Sequence, residues 1–134
     1  MPVQRSETLE LRSGADIVLA RQTVRLWCVD VGFSLVDQTK MVTAASELAR
    51  NTVDYGGGGV VRLDRMEDGS RRGLRLTFED SGPGIPDVQR ALQDGFTSGK
   101  GLGLGLGGAR RLVNEFDISS KVGEGTRVVI TRWK

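Results

Sequence analysis

Leu74-Arg75-Leu76-Thr77-Phe78-Glu79-Asp80 runs directly into Ser81-Gly82-Pro83-Gly84-Ile85-Pro86, and this join decides how the chain is read. Leu74, Leu76 and Phe78 alternate with Arg75, Thr77 and Glu79, the period of two that a strand with one buried face requires. The alternation ends on a carboxylate, and a tight turn follows at once. Asp80 so placed can accept a hydrogen bond from an exocyclic amine at the bottom of a cleft. Gly82 and Gly84 let a flat ring come close to the backbone. The same residues also suit an ordinary strand exit, because Asp, Ser, Gly and Pro are all turn formers.

Upstream, residues 60–65 form a partner strand, joined to 74–80 by a polar turn at Asp68-Gly69-Ser70. Residues 3–11 alternate weakly and predict an opening strand. Ser13 and Asp16 can cap a helix over 17–31, whose Ile17, Val18, Val24, Leu26, Trp27 and Val31 recur at helical spacing before Gly32 ends it. Ser34 starts a second helix, with Asp37 three residues on in a shorter relative of the capping box. Its apolar stripe is Met41, Val42, Ala45, Leu48, Ala49 and Val53, and the run Gly56 to Gly59 must end it. Downstream, the pattern predicts a short helix over 87–92, a glycine-rich loop over 95–105 and a helix over 107–116. Strands over 118–122 and 127–133 follow. The order β-α-α-β-β-α-α-β-β groups helices with helices and strands with strands, which suggests an α+β two-layer sandwich.

The chain has 134 residues, the size of a single domain, expected here to span 1–134. Lys and Arg total 19 against 17 Asp and Glu, a balance of +2 that gives no reason to expect nucleic acid or a membrane surface as partner. One cysteine, Cys28, precludes an internal disulfide and fits a reducing cytoplasm. The first residues lack the apolar block of a signal peptide, and no apolar run approaches membrane-span length. Histidine is absent, which removes Ser-His-Asp and Cys-His triads and the commonest zinc ligand. Chemistry must then come from carboxylates, amides, backbone and a hard metal ion.

Two further clusters could supply it. Glu47 and Asn51 share one face of the second helix. A carboxamide oxygen suits Mg²⁺, and a neighbouring carboxylate can hold a water or accept a hydroxyl proton. Such a pair also fits a solvated polar face. The other cluster is Gly99-Lys100-Gly101-Leu102-Gly103-Leu104-Gly105-Leu106-Gly107-Gly108. Its glycines expose backbone N–H groups ahead of a helix, the makings of a phosphate cradle. It is not a P-loop, because only three residues separate Gly95 from Gly99 and a glycine follows Lys100. Gly103, Gly105 and Gly108 match a dinucleotide fingerprint, but no strand precedes them.

In series, the three clusters resemble the Bergerat-type ATP-binding family that includes DNA gyrase B, the Hsp90 chaperone, sensor histidine kinases and MutL. The family's Glu-x-x-x-Asn box, Asp-x-Gly-x-Gly turn and Gly-x-Gly-x-Gly lid fall at Glu47–Asn51, Asp80–Gly84 and 101–105. The resemblance implies a mixed, mostly antiparallel sheet with helices on one face and ATP between the helices and the lid. It implies that Asn51 ligates Mg²⁺ and Asp80 binds the adenine amino group. Gly82, Gly84 and Ile85 would shape the base pocket, Gly101 to Leu106 would wrap the triphosphate (Gly101, Leu102, Gly103, Leu104, Gly105 and Leu106), and Lys100 would reach a phosphate. Thr126, in Gly123-Glu124-Gly125-Thr126, matches the threonine that supports the adenine site.

The likeness is closer to the small anti-sigma-factor kinases, and within them to the stressosome switch kinases. It rests on Asp16-Ile17-Val18-x-Ala20-Arg21-Gln22, Ser46-Glu47-Leu48-Ala49-Arg50-Asn51, Glu79-Asp80-x-Gly82-Pro83-Gly84-Ile85-Pro86-Asp87 and Asp94-Gly95-Phe96. Such proteins phosphorylate Ser or Thr on STAS-domain partners and can then act on another partner, such as a phosphatase or regulatory enzyme. Glu47 would accept the hydroxyl proton. Tyr55 stands where many relatives carry histidine, which agrees with the switch-kinase branch, and Thr52 replaces a small alanine and could tighten the site. The alternative is an ATP-dependent anti-sigma factor that sequesters a sigma factor.

Overall fold

The computed structural model describes residues 3–93 and 105–134. Its elements are β1 (Val3–Leu11), α1 (Gly14–Val31), α2 (Leu35–Asp54), β2 (Gly59–Asp68), β3 (Arg71–Asp80), α3 (Val88–Ala91), α4 (Leu106–Arg111), β4 (Glu115–Lys121) and β5 (Gly125–Trp133). The strands form one sheet in the order β1-β2-β3-β5-β4. All four pairings are antiparallel, so the sheet has no parallel pair where a mixed one was expected.

Strand periodicity puts Leu9 and Leu11, Val61 and Leu63, Leu74, Leu76 and Phe78, and Val128 and Ile130 on the face that α1 and α2 cover. The helices answer with Ile17, Ala20, Val24, Trp27 and Val31 from α1, and Met41, Ala45, Leu48 and Ala49 from α2. Burying these side chains stabilises the fold by roughly 1.5–3 kcal/mol for each larger one. Both caps form as the sequence predicts: Ser13 Oγ accepts from Asp16 N and Ser34 Oγ from Asp37 N. Gly32 ends α1 in a left-handed conformation, its N–H bonded to the Cys28 and Val29 carbonyls.

The other face of the sheet is polar. Asp64 lies on it yet is almost wholly buried, held by Ser6 Oγ (2.5 Å), Arg62 Nε (3.2 Å) and Arg75 Nη2 (3.0 Å). Burial pushes its carboxyl up, but these three donors outweigh it and hold the group below the usual carboxylate range.

The last helix departs from expectation. It spans Leu106–Arg111, and Phe116, which the sequence pattern gave to the helix, sits in β4 opposite Ile130. Phe116, Ile118 and Ser120 turn toward the helical layer, so the strand period of two wins over a helical reading that rested on the preceding apolar residues. Strands β2, β3, β4 and β5 also begin or end beyond their predicted limits, because paired neighbours extend the ladder through polar residues such as Glu67 and Asp68.

Candidate functional site

Asp80 closes β3, and the chain around it is packed so tightly that glycine is required. A Cβ on Gly56 would collide with the Asp80 carboxyl group, so the glycines after α2 do more than stop the helix. Gly125 has φ +105, and a side chain there would strike the Asp80 carbonyl. Asp80 Oδ1 accepts from Gly82 N at 2.9 Å, and the Thr126 backbone N–H also donates to the carboxylate. Burial raises the Asp80 pKa, and these two donors only partly oppose the rise.

A chain of hydrogen bonds fixes the turn after Asp80. The Tyr55 hydroxyl, at the C-cap of α2, donates to the Gly84 carbonyl at 3.0 Å. Ile85 N donates to Ser120 Oγ at 2.7 Å, and Ser120 Oγ lies 2.8 Å from Thr126 Oγ1. Helix α2, the turn and the last two strands are therefore joined around one carboxylate.

Asp80 opens onto a small cavity of about 20 Å³ lined by Leu48, Asn51, Thr52, Tyr55, Phe78, Ile85, Leu106, Thr126 and Val128. This brings together five of the residues singled out in the sequence: Asn51, Asp80, Ile85, Leu106 and Thr126. Gly82 and Gly84 lie in the turn between Asp80 and Ile85 but do not line the cavity; they pack against the backbone of Gly56 and Lys121. The lining suits a planar heterocycle with an amine: apolar walls for the ring faces, a carboxylate for the amine and a hydroxyl beside it. The volume, however, is that of about one water molecule. Two of its walls, Ile85 in the turn after β3 and Leu106 at the start of α4, come from outside the sheet and α2. Thr52 is buried and turns its hydroxyl back to the Leu48 carbonyl at 2.9 Å, so it narrows the cavity without presenting a polar group to it.

Glu47 is parted from this group. It is half-buried one helical turn before Asn51, and its carboxylate lies over Gly105, whose Cβ would stand 2.5 Å from Oε2. Gly105 has φ +65, so both conformation and the Glu47 contact favour glycine. Glu47 lines a groove between α2 and α4 rather than the Asp80 cavity. Lys100, Gly101, Leu102, Gly103 and Leu104, expected at the phosphates, lie outside the described residues, as does Asp94-Gly95-Phe96. Among the described residues no group of three acidic, histidine or cysteine side chains could hold a metal. Asn51 supplies a hard oxygen of the kind that completes a Mg²⁺ shell made mostly of phosphate and water.

Sequence reading missed Gly56, Tyr55 as a tie to Gly84, and Ser120. The first was hidden in a run that reads as a helix stop. Ser120 carried only a parity signal, since it shares the inward face of β4 with Phe116 and Ile118.

Comparison with known proteins agrees with this geometry. Residues 36–134 match the family model described as histidine kinase-, DNA gyrase B-, and HSP90-like ATPase. The chain is 45% identical over 118 residues to the serine/threonine-protein kinase RsbT of Bacillus subtilis, covering 88% of this chain and 89% of that one. It is 32% identical over 120 residues to the anti-sigma F factor of Anoxybacillus flavithermus, covering 84% and 81%. Among solved structures, the RsbU and RsbW domains of a Mycobacterium tuberculosis protein superpose with a TM-score of 0.64 at 22% identity, over 98% of this chain and a third (33%) of that one. The catalytic domain of the histidine kinase ThkA superposes at 0.57 with 16% identity, over 94% and 95%. These last two likenesses concern the fold. With the matched ATPase model covering most of its length and the Asp80 cavity built as described, the chain belongs to the histidine kinase-, DNA gyrase B- and HSP90-like ATPase family of ATP-binding domains, in the group that includes RsbT and the anti-sigma F factors.

Proposed function

We propose that the chain is a serine/threonine protein kinase that transfers the ATP γ-phosphate to STAS-domain regulatory proteins in a bacterial partner switch. The observation that carries this is the placing of Glu47. It stands one turn from Asn51 on α2, outside the Asp80 cavity and beside Gly105, where a carboxylate can meet a hydroxyl brought by another protein. The similarity to RsbT supports the same reading.

In this reading Asp80 accepts a hydrogen bond from the adenine amino group, with Gly82, Gly84, Ile85 and Thr126 shaping the base site. Asn51 offers its amide oxygen to Mg²⁺, and a bound Mg²⁺ would neutralise phosphate charge. Gly105 and Leu106 adjoin the phosphates; Lys100 and Gly101 to Leu104, outside the described residues, are assigned to them by the family resemblance alone. Glu47 takes the proton of the partner's Ser or Thr hydroxyl as its oxygen bonds to the γ-phosphorus. The bond from that phosphorus to the bridging oxygen breaks, and ADP leaves. Positioning and charge neutralisation carry most of the acceleration in such a transfer. We place the protein in the cytoplasm, with a downstream phosphatase or regulatory enzyme as second partner. Among the described residues no helix is long and apolar enough to cross a membrane.

The likeness to an anti-sigma F factor favours a second reading, ATP-dependent sequestration of a sigma factor. The two separate when the protein is mixed with Mg²⁺-ATP and STAS-domain proteins of its own organism. Phosphate gained on the STAS protein supports the kinase. ATP binding without transfer, together with co-purification of a sigma factor, supports sequestration.

A further inference from the structure

Glu47 opens onto a groove of about 320 Å³ between α2 and α4, lined also by Thr43, Gly105, Gly108, Ala109, Arg111 and Leu112. Thr43 is exposed and lies one turn before Glu47 on the same side of α2. Gly108 lies inside α4, where glycine is the least favourable residue after proline. No described atom stands within 4 Å of the place its Cβ would take, so internal packing does not demand glycine there. Its missing side chain leaves the groove wide beside the Glu47 carboxylate. The groove and the Asp80 cavity are bordered by neighbouring residues: Leu106 walls the cavity, and Gly105 lines the groove beneath Glu47.

We infer that the α2–α4 groove receives the acceptor segment of the substrate protein, an extended stretch that presents Ser or Thr to Glu47 between small side chains. The inference rests on the kinase reading and specifies the protein-facing half of that site. The volume admits a few small side chains. Ala109 and Leu112 offer an aliphatic wall to the flanking residues, and the carboxylate at the groove's inner end accepts the hydroxyl proton. The nucleotide cavity and the acceptor groove then adjoin at Gly105 and Leu106.

The test uses the full chain with Thr43→Trp, which obstructs the groove from α2, and Gly108→Leu, which obstructs it from α4. Leu26→Trp, at an exposed position of α1 that does not line the groove, serves as the control, and thermal melting confirms that each variant folds. Steady-state transfer to a STAS-domain protein should show KM for that protein raised about tenfold or more by Thr43→Trp, with ATP affinity unchanged. Gly108→Leu should raise the same KM, and Leu26→Trp should not. Wild-type KM in both obstructed variants would overturn the assignment, and so would a parallel loss of ATP affinity in Thr43→Trp. Absence of transfer by the unmodified protein to every STAS protein tried counts against the kinase reading itself, a result distinct from either of these.

Discussion

At the scale of single residues, the half-buried carboxylate of Asp80 works against stability. Its folded pKa is raised by burial, so the folded protein holds this proton more tightly than the unfolded chain does. Above the ordinary carboxylate range of about 4, its ionisation therefore costs folding free energy. Asp80→Asn should leave the nucleotide-free melting temperature equal or higher at neutral pH, yet remove ATP binding. Calorimetric titration with thermal melting checks both halves, and normal ATP affinity in the variant would refute the adenine assignment. Glu47 lies outside the Asp80 cavity, one turn before Asn51 and over Gly105. Gly105→Ala forces a Cβ into the Glu47 carboxylate at a positive φ, so transfer should fall sharply even where ATP still binds, as a coupled kinetic and binding assay would reveal.

At the scale of elements, helix α2 carries the site and its cap sets its start. Ser34 Oγ accepts from Asp37 N at 3.1 Å, and the Asp37 side chain in turn accepts from Arg132 of β5 at 2.6 Å. Ser34→Ala should cost about 1 kcal/mol in urea unfolding, with ATP affinity little changed. This helix was legible in the sequence from cap to glycine stop, because its apolar stripe has one period and both ends carry chemical signals. The α4–β4 segment was not. Leu112 and Val113 prolong a helical pattern past the true end at Arg111, and only the pairing of Phe116 with Ile130 settles the strand. Pairing is a long-range fact, which local periodicity does not contain. The site divides in the same way: Asn51, Asp80 and Thr126 carry motif signals, whereas Gly56 and Ser120 act through contacts with distant residues.

At the scale of the whole molecule, helices cover one face of the sheet, and the polar face is tied together by Asp64 across β1, β2 and β3. With its carboxyl held below the usual range, this group stabilises the fold above the unfolded-state pKa of about 3.9, and the contribution is lost as pH falls through the lower folded value. Asp64→Ala removes the acceptor shared by two part-exposed guanidinium groups and should cost about 1–2 kcal/mol at neutral pH. Its stability should also fall less steeply than wild type on acidification, which urea titrations at several pH values would resolve. Unchanged stability would show that Asp64 is no keystone of that face.

The arrangement of Asp80 inside a cavity and Glu47 outside it implies that nucleotide binding and phosphate transfer can be separated by one substitution. The measurement that tests this most directly compares the unmodified protein with Glu47→Ala, reading ATP affinity by titration and phosphate on a STAS-domain partner by intact mass. The account predicts equal ATP affinity, one phosphate gained on the partner with the unmodified protein, and transfer slowed about 10²–10⁴-fold in the variant. Transfer at an unchanged rate by Glu47→Ala would contradict it.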